Sequence, residues 1–148
     1  MRPFTRSHSI GTAMARDAPT NPRALVRRLR AQPDQVRIIR AEVKAYAVAH
    51  GAADPNAVAL AISEAVTNAV VHAYVDAPEL GEIEVIAQRT ADDCLEILVC
   101  DEGRGMLPRH DSPGVGLGLP LVATLAESFE VQVRTGGGTQ VRMAFAAA

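Results

Sequence analysis

The sequence predicts a single α+β domain, a two-layer sandwich with helices packed on one face of a largely antiparallel sheet. Three observations lead to this prediction. The chain has 148 residues, which suits one globular domain. Apolar residues recur at helical spacing in its first half, and they alternate with polar residues in its second half. The predicted order of elements is β-α-α-β-β-α-β-β.

The N-terminal end differs from the rest of the chain in charge and pattern. Residues 1–30 contain seven arginines and one acid, a formal charge of +6, whereas residues 31–148 contain eight basic and sixteen acidic residues, a formal charge of −8. Residues 1–22 have no apolar period, so we predict a flexible basic tail there and an ordered domain over residues 23–148. A nucleic-acid-binding arm is the alternative, although dispersed arginines are more typical of a solvated tail.

The ordered domain is predicted to begin with a strand and two helices. The apolar run at residues 25–29 predicts a short strand. Apolar residues then recur at helical spacing over residues 33–51, which predicts the first helix. Asp54 precedes Pro55, a pattern typical of a helix N-cap followed by proline at the first helical position. A second helix is therefore expected from there to about Tyr74.

The second half of the chain is predicted to form the rest of the sheet. Alternating apolar and polar residues around 83–85 and 95–99 indicate two half-buried antiparallel strands. A loop rich in glycine and proline follows at residues 101–113, and then a helix from about 115 to 126. Three consecutive glycines at 136–138 separate two more alternating runs, which predicts a closing hairpin.

Composition excludes several classes of protein. Lys44 is the only lysine and is followed by alanine, so the Gly-Lys-Ser/Thr ending of a P-loop is absent. Cys94 and Cys100 form no Cys-x-x-Cys pair, which argues against structural zinc and a disulfide framework. The absence of long apolar runs predicts a cytoplasmic protein with no membrane association. Five aromatic residues and no tryptophan argue against stacking on single-stranded nucleic acid.

A polar stripe is expected along the second helix. Glu64, Asn68 and His72 follow one another at intervals of four residues, so their side chains fall within about 80° of one helix face. A carboxylate and an amide one turn apart suit a hard cation such as Mg²⁺ and can orient a nucleophile beside it. On spacing alone, the solvated face of an amphipathic helix explains the pattern equally well.

A second candidate site begins at Asp101, directly after the apolar end of a predicted strand. An acid at this position can lie at the floor of a pocket, and Gly103 and Gly105 let the backbone approach a flat ligand closely. The same residues are also typical of a common turn, and taken alone they favour that simpler interpretation.

A glycine-rich run, GVGLGL at residues 114–119, opens the predicted third helix. Backbone amides at a helix N-terminus attract anions such as phosphate. The glycine spacing differs from the dinucleotide fingerprint, and no β-α-β unit surrounds it. A glycine-rich lid without a ligand is the alternative. Thr139, which follows Gly138, is expected to place a hydroxyl at the same end of the sheet.

Together these motifs resemble the N, G1, G2 and terminal Gly-Thr boxes of the GHKL ATP-binding superfamily. The boxes occur in the family's order, as Glu64-x-x-x-Asn68, Asp101-x-Gly103-x-Gly105, Gly114-x-Gly116-x-Gly118 and Gly138-Thr139. Residues 33–40 and 61–74 also resemble bacterial anti-sigma factor serine/threonine kinases. The similarity covers about residues 25–146 and implies a Bergerat-type sandwich with an ATP pocket between the helices and the sheet.

The resemblance implies roles for individual residues. Asn68 would coordinate Mg²⁺, and Glu64 would act as general base towards a serine or threonine hydroxyl of a partner. Asp101 would accept a hydrogen bond from the adenine amino group. The other implied nucleotide contacts come from the glycine boxes and the closing strand: Gly103, Gly105, Gly114, Gly116, Leu117, Gly118 and Thr139.

The resemblance also implies a function and partners. The expected protein binds ATP and Mg²⁺, restrains a sigma factor and phosphorylates an anti-sigma factor antagonist. It would be a homodimer without direct nucleic-acid contacts, and Arg40 matches the arginine that the family places near its partner-binding and dimer surface. Two alternatives remain open: an ATP-binding regulatory module with little kinase activity, and a detached ATPase domain of the histidine-kinase type.

Overall fold

A computed structural model describes residues 8–13, 23–74, 81–103, 118–135 and 137–148. Within these ranges the elements follow one another as β1 (His8–Ala13), β2 (Leu25–Arg30), α1 (Pro33–Ala49), α2 (Pro55–His72), β3 (Glu82–Arg89), β4 (Cys94–Asp101), α3 (Gly118–Leu125), β5 (Ser128–Arg134) and β6 (Thr139–Ala146).

All strands of the described residues belong to one sheet, in the order β1-β5-β6-β4-β3-β2. Strands β2 to β6 pair with their neighbours in antiparallel fashion, while β1 pairs with β5 in parallel. The helices pack against one face of this sheet through a shared apolar cluster. The predicted α+β sandwich, with helices on one face of a largely antiparallel sheet, is therefore confirmed.

Both long helices begin where the sequence predicts. Pro33 opens α1, and Pro55 opens α2 behind the N-cap Asp54, whose side chain accepts a hydrogen bond from the backbone N–H of Ala57 at 3.0 Å. This cap pairs a backbone donor that would otherwise lack an intrahelical partner. Gly51 has a φ of +75°, a conformation that glycine adopts without strain, and it follows the end of α1.

The buried face of the sheet determines which strand residues point towards the helices. Ile83 and Val85 on β3 are fully buried, and they lie directly opposite Asp101 and Val99 on β4. Because residues opposite each other in a sheet share a face, the side chain of Asp101 belongs to the helix-facing side. The helices contribute the other half of this core through Ile39, Val43, Val58, Ile62 and Val66.

The opposite face of the sheet carries charged pairs. The guanidinium of Arg28 lies 3.0 Å from the carboxylate of Glu84, and that of Arg142 lies 3.3 Å from Glu96. Only Arg28 is well exposed in these pairs, since Glu84 and Glu96 are largely covered. The same face also holds a small buried apolar cluster of Ile86, Leu98 and Cys100.

The N-terminal region differs from its prediction at residues 8–13. We predicted a flexible tail over residues 1–22, but His8–Ala13 form the strand β1, paired in register with β5. The sequence of β1 has little alternation, and it pairs with a strand far away in the sequence. Such pairing depends on a neighbour that local patterns do not reveal. Residues 1–7 and 14–22 lie outside the described residues.

The third helix is found where it was expected, over Gly118–Leu125. Its predicted first residues, 115–117, lie outside the described residues, as does the loop from 104. Val122 and Ala126 are buried in the core shared with α2. None of the helices in the described ranges combines the length and apolar character required to cross a membrane.

Candidate functional site

A buried carboxylate lies at the end of the central strands. Asp101 is the last residue of β4, is 4% exposed, and lies opposite Thr139, the first residue of β6. Its Oδ1 accepts a hydrogen bond from the backbone N–H of Gly103 at 3.0 Å. Thr139, which was predicted to lie at the same end of the sheet, does so and is 1% exposed.

Opposing effects set the charge of this carboxylate. Together these effects raise the pKa of Asp101 to about 6. Burial raises it most, the backbone N–H groups of Gly103 and Thr139 and the positive charge of Arg134 lower it, and the negative charge of Glu102 raises it. At neutral pH Asp101 is therefore mostly ionised, and it is a strong hydrogen-bond acceptor because little water surrounds it.

The C-terminal end of α2 is joined to the loop that follows β4. A Cβ atom on Gly103 would lie 2.0 Å from the backbone oxygen of Ala73, so only glycine permits this contact. The hydroxyl of Tyr74 donates a hydrogen bond to the backbone oxygen of Glu82 at 2.6 Å and accepts one from the backbone N–H of Glu102 at 3.0 Å. One phenol thus connects α2, β3 and β4.

We expect Tyr74→Phe to lower the free energy of unfolding by about 1–2 kcal/mol, because it removes two hydrogen bonds and keeps the ring. Urea denaturation of the wild type and the variant, followed by circular dichroism, measures the difference. If the two unfolding midpoints coincide, the Tyr74 hydroxyl does not stabilise this junction.

The turn between β5 and β6 packs against the backbone of Asp101 and Gly103. Gly138 has a φ of +96°, and a Cβ atom there would lie 2.2 Å from the backbone oxygen of Asp101. A Cβ on Gly137 would lie 3.3 Å from the backbone oxygen of Gly103. The side chain of Arg134 also reaches Asp101, donating from Nη1 to its backbone oxygen at 3.1 Å.

We expect Gly138→Ala to be more damaging than Gly51→Ala, although both glycines have positive φ. At Gly51 the nearest atom to a new Cβ is 3.5 Å away, in the flexible side chain of Arg89, so the cost is backbone strain of about 1–2 kcal/mol. At Gly138 the methyl group also meets the backbone oxygen of Asp101, adding about 2 kcal/mol or more. Equal shifts in thermal midpoint for the two variants would contradict this packing.

The polar stripe of α2 leads away from Asp101. Glu64, Asn68 and His72 are all half-buried, whereas the opposite side of the helix is buried in the core. Ala73 is the residue that contacts the β4 loop, and at 1.5 Å per residue Asn68 lies about 7.5 Å and Glu64 about 13.5 Å from it along the helix. A ligand that reaches from Asp101 to Glu64 must therefore be elongated.

The glycine-rich run is only partly within the described residues. Gly118 is the first residue of α3 within the described residues. The expected nucleotide-binding residues Gly105, Gly114, Gly116 and Leu117 lie outside the described residues, and their contacts with phosphate stay predictions.

The donor groups of α2 suit magnesium that is shared with phosphate. Within the described residues no three His, Cys, Asp or Glu side chains are grouped as a metal site. Mg²⁺ commonly takes one or two protein oxygens and completes its shell with water and substrate phosphates. A single amide oxygen from Asn68 fits that arrangement, whereas it does not fit a metal held by protein alone.

Arg40 is exposed on α1. Arg37 and Lys44 are exposed at helical spacing beside it, and Ile38 and Val48 are 48% and 61% exposed on the same helix. At about 100° per residue, Val48 lies on the same side of α1 as the three basic residues, whereas Ile38 lies about 160° around the helix from Arg40. The side of α1 that carries Arg40 is therefore mainly basic, with one exposed aliphatic residue. The role of Arg40 in partner binding stays a prediction.

Two residues that hydrogen-bond the backbone at the end of β4, Tyr74 and Arg134, were not predicted from the sequence. Tyr74 was used only to mark the end of the second helix, although it is one of five aromatic residues in the chain. Arg134 precedes the glycine turn, and its approach to Asp101 depends on strand order. Tyr74 could have been predicted from its residue type and position, because the hydroxyl of a tyrosine that is partly buried usually finds a hydrogen-bond partner.

Fold and site together define a two-layer α+β domain with a buried acid at one end of the sheet and a polar helix stripe leading from it. The chain belongs to the histidine kinase-like ATPase domain family, whose model matches residues 29–145. The resemblance to the GHKL superfamily is thereby confirmed. No curated protein sequence matches the chain.

Two solved structures are similar to this protein. One is the crystal structure of the RsbU and RsbW domains of Rv1364c from Mycobacterium tuberculosis, with a TM-score of 0.66 and 27% identity over 88% of this chain and 33% of that one. The other is the histidine kinase domain of the blue-light activated histidine kinase EL346 from Erythrobacter litoralis, with a TM-score of 0.55 and 24% identity over 78% of this chain and 60% of that one. This chain therefore corresponds to only part of each.

Proposed function

We propose that this protein is a serine/threonine kinase dependent on ATP and Mg²⁺, which restrains a sigma factor and phosphorylates an anti-sigma factor antagonist. The observation that carries the proposal is the arrangement of a buried acceptor, Asp101, at one end of a half-buried helix stripe that contains Asn68 and Glu64. The similarity to the RsbW domain of Rv1364c supports this choice within the family.

The pocket at Asp101 suits adenine. The exocyclic amino group of adenine donates a hydrogen bond, and the ionised carboxylate accepts it in a site with little water. Guanine presents a carbonyl oxygen at the equivalent ring position, so two acceptors would face each other without a proton between them. Buried polar groups left unpaired in this way give strong discrimination between ligands.

The triphosphate would extend along α2 towards Glu64. Asn68 would hold Mg²⁺ through its amide oxygen, and when bound this ion would offset charge on the phosphate oxygens. The half-buried position of the stripe leaves one side of the helix open to a ligand while its other side is fixed in the core. A rigid helix face is well suited to hold reacting groups at a constant separation.

Glu64 is proposed to be the general base. Its carboxylate would accept the proton of a partner's serine or threonine hydroxyl as that oxygen bonds to the γ-phosphorus, while the bond to the leaving ADP breaks. Glu64 lies two helical turns further from the β4 loop than His72. It is therefore placed at the end of the stripe where the terminal phosphate of an adenine-anchored nucleotide would lie.

The partner surface is proposed to include the exposed side of α1. Arg40 lies there with two further basic side chains, Arg37 and Lys44, and the exposed aliphatic side chain of Val48. We propose that this surface contributes to the homodimer and to binding of the sigma factor and the antagonist. Nucleotide state and partner choice would then be coupled, because phosphorylation of the antagonist weakens its binding and favours the sigma factor.

A mixing experiment tests the proposed activity. Purified protein is incubated with ATP labelled on the γ-phosphate, Mg²⁺ and the candidate antagonist encoded beside its gene, and protein-bound label is followed over time. Label on a serine or threonine of the antagonist is expected. ATP binding without transfer would instead identify a regulatory binding module, and label on a histidine of a second protein would identify an ATPase domain of the histidine-kinase type.

A further inference from the structure

Arg134 contacts the backbone of Asp101 without being part of any motif. It is the last residue of β5, and its backbone forms the ends of the glycine turn: its N–H donates to the oxygen of Gly138 at 2.9 Å, and its oxygen accepts from Gly137 at 3.1 Å. These two hydrogen bonds fix the backbone of Arg134 where β5 enters the turn. Its guanidinium then reaches across β6 to the end of β4, where Nη1 donates to the backbone oxygen of Asp101 at 3.1 Å.

The turn packs against the same oxygen. The missing side chain of Gly138 is what allows the turn to approach the backbone oxygen of Asp101. That oxygen is therefore in contact with both the guanidinium and the tightly packed turn. Fixing this backbone fixes the Cα–Cβ direction from which the carboxylate extends, and the backbone N–H of Gly103 holds its Oδ1.

Arg134 also differs in charge from the other groups around Asp101. Glu102, on the same loop, raises the pKa of Asp101, and Glu82 on β3 lies close enough to act with it on Tyr74. Tyr74, which follows the end of α2, is a neutral phenol at physiological pH, and burial raises its pKa further above that range. Arg134 is the cation in this set, and its positive charge acts to lower the pKa of Asp101.

From this geometry we infer that Arg134 is a positioning residue for the nucleotide base, which holds Asp101 in place and in its ionised form. The inference rests on the proposed function, since it assumes that Asp101 receives adenine. Without the guanidinium, burial and the negative charge of Glu102 would raise the pKa of Asp101 further. The carboxyl group would then stay protonated up to a higher pH. A protonated carboxyl is a poorer acceptor for an amino group.

The expected behaviour is a change in the pH dependence of binding. In the wild type, affinity for ATP is constant above about pH 6 and falls by about tenfold per pH unit below it, because the ionised carboxylate binds the base. In Arg134→Met the midpoint of this fall moves upward by about 0.5–1 pH unit. In Arg134→Lys, which keeps the positive charge, the midpoint moves by no more than about half as much.

Isothermal titration calorimetry with ATP and Mg²⁺ between pH 5 and pH 8.5 measures these midpoints. The carbon-13 signal of the Asp101 carboxyl, followed by NMR in the nucleotide-free protein, reports the same titration without any ligand. Recovery of wild-type affinity by Arg134→Met at pH 8.5 supports the inference, because a merely misfolded pocket would not recover at high pH. An unchanged carboxyl titration overturns it.

Arg142→Met is the matched control. Arg142 pairs with Glu96 on the face of the sheet away from the helices, so its removal is expected to leave both titrations unchanged. A wild-type protein that binds no nucleotide at any pH would contradict the proposed function, while the NMR titration would still decide the role of Arg134. Equal upward shifts for Arg134→Met and Arg142→Met would overturn the inference in favour of a general effect of net charge.

Discussion

Glu64→Gln is expected to reduce phosphate transfer by at least about 100-fold while ATP binding persists. The amide keeps the size and helical setting of the side chain but cannot take the proton of the attacking hydroxyl, and general bases contribute factors of about 10²–10⁴. The wild type and the variant would be compared by transfer of label to the antagonist under single-turnover conditions. Calorimetry with ATP and Mg²⁺ would be run on the same samples.

Glu127→Gln provides the matched control for this prediction. Glu127 is half-buried like Glu64, but it precedes β5 at the end of the sheet opposite to Asp101. Its replacement is expected to leave transfer within about twofold of the wild type. Transfer by Glu64→Gln at the wild-type rate would remove Glu64 from the reaction, and a simultaneous loss of ATP binding would show that the side chain acts in binding instead.

Asp101→Ala is expected to weaken ATP binding by about 10- to 100-fold. Hydrogen bonds to charged groups contribute about 1.5–3 kcal/mol, and the substitution also leaves the backbone N–H groups of Gly103 and Thr139 without their acceptor. Asp101→Asn is a second variant that keeps the shape of the side chain. It should also bind ATP weakly, because the amide has only one acceptor oxygen. If that oxygen faces the adenine amino group, the amide N–H₂ group faces backbone N–H donors and cannot accept from them.

Selectivity provides the sharper measurement for the same residue. The wild type should prefer ATP to GTP strongly, and Asp101→Ala should lose most of this preference, since the repulsion between two acceptors disappears with the carboxylate. Asp92→Asn, at an exposed turn residue, is the control and should behave as the wild type. If Asp101→Ala binds ATP within threefold of the wild-type affinity, adenine does not bind at Asp101.

Local patterns predicted most of the fold, because each element has its own period and its own end signals. The cap at Asp54 and the proline at Pro55 marked the start of α2, and the alternation around Ile83 marked β3. Strand order was not predictable, because it depends on pairing between residues far apart in the sequence. The same limit explains why His8–Ala13 were expected to be part of a tail.

The candidate site was predictable in its residue types and spacing, but its connections were not. The interval from Glu64 to Asn68 follows from helical geometry alone, and the position of Asp101 follows from the end of a strand. In contrast, the bond from Arg134 to Asp101 requires β6 to lie between their strands, and the contact of Ala73 with Gly103 requires a helix end to meet a loop. Tertiary packing determines both.

The strand β2 places three of the N-terminal arginines at an edge of the sheet. It forms one edge of the described sheet, and its sequence, LVRRLR, carries Arg27, Arg28 and Arg30. An edge strand offers unpaired backbone donors and acceptors to any other exposed strand, and charged side chains prevent such edge-to-edge association. Part of the basic N-terminal charge is therefore placed where it protects the folded protein against aggregation, without requiring an anionic partner.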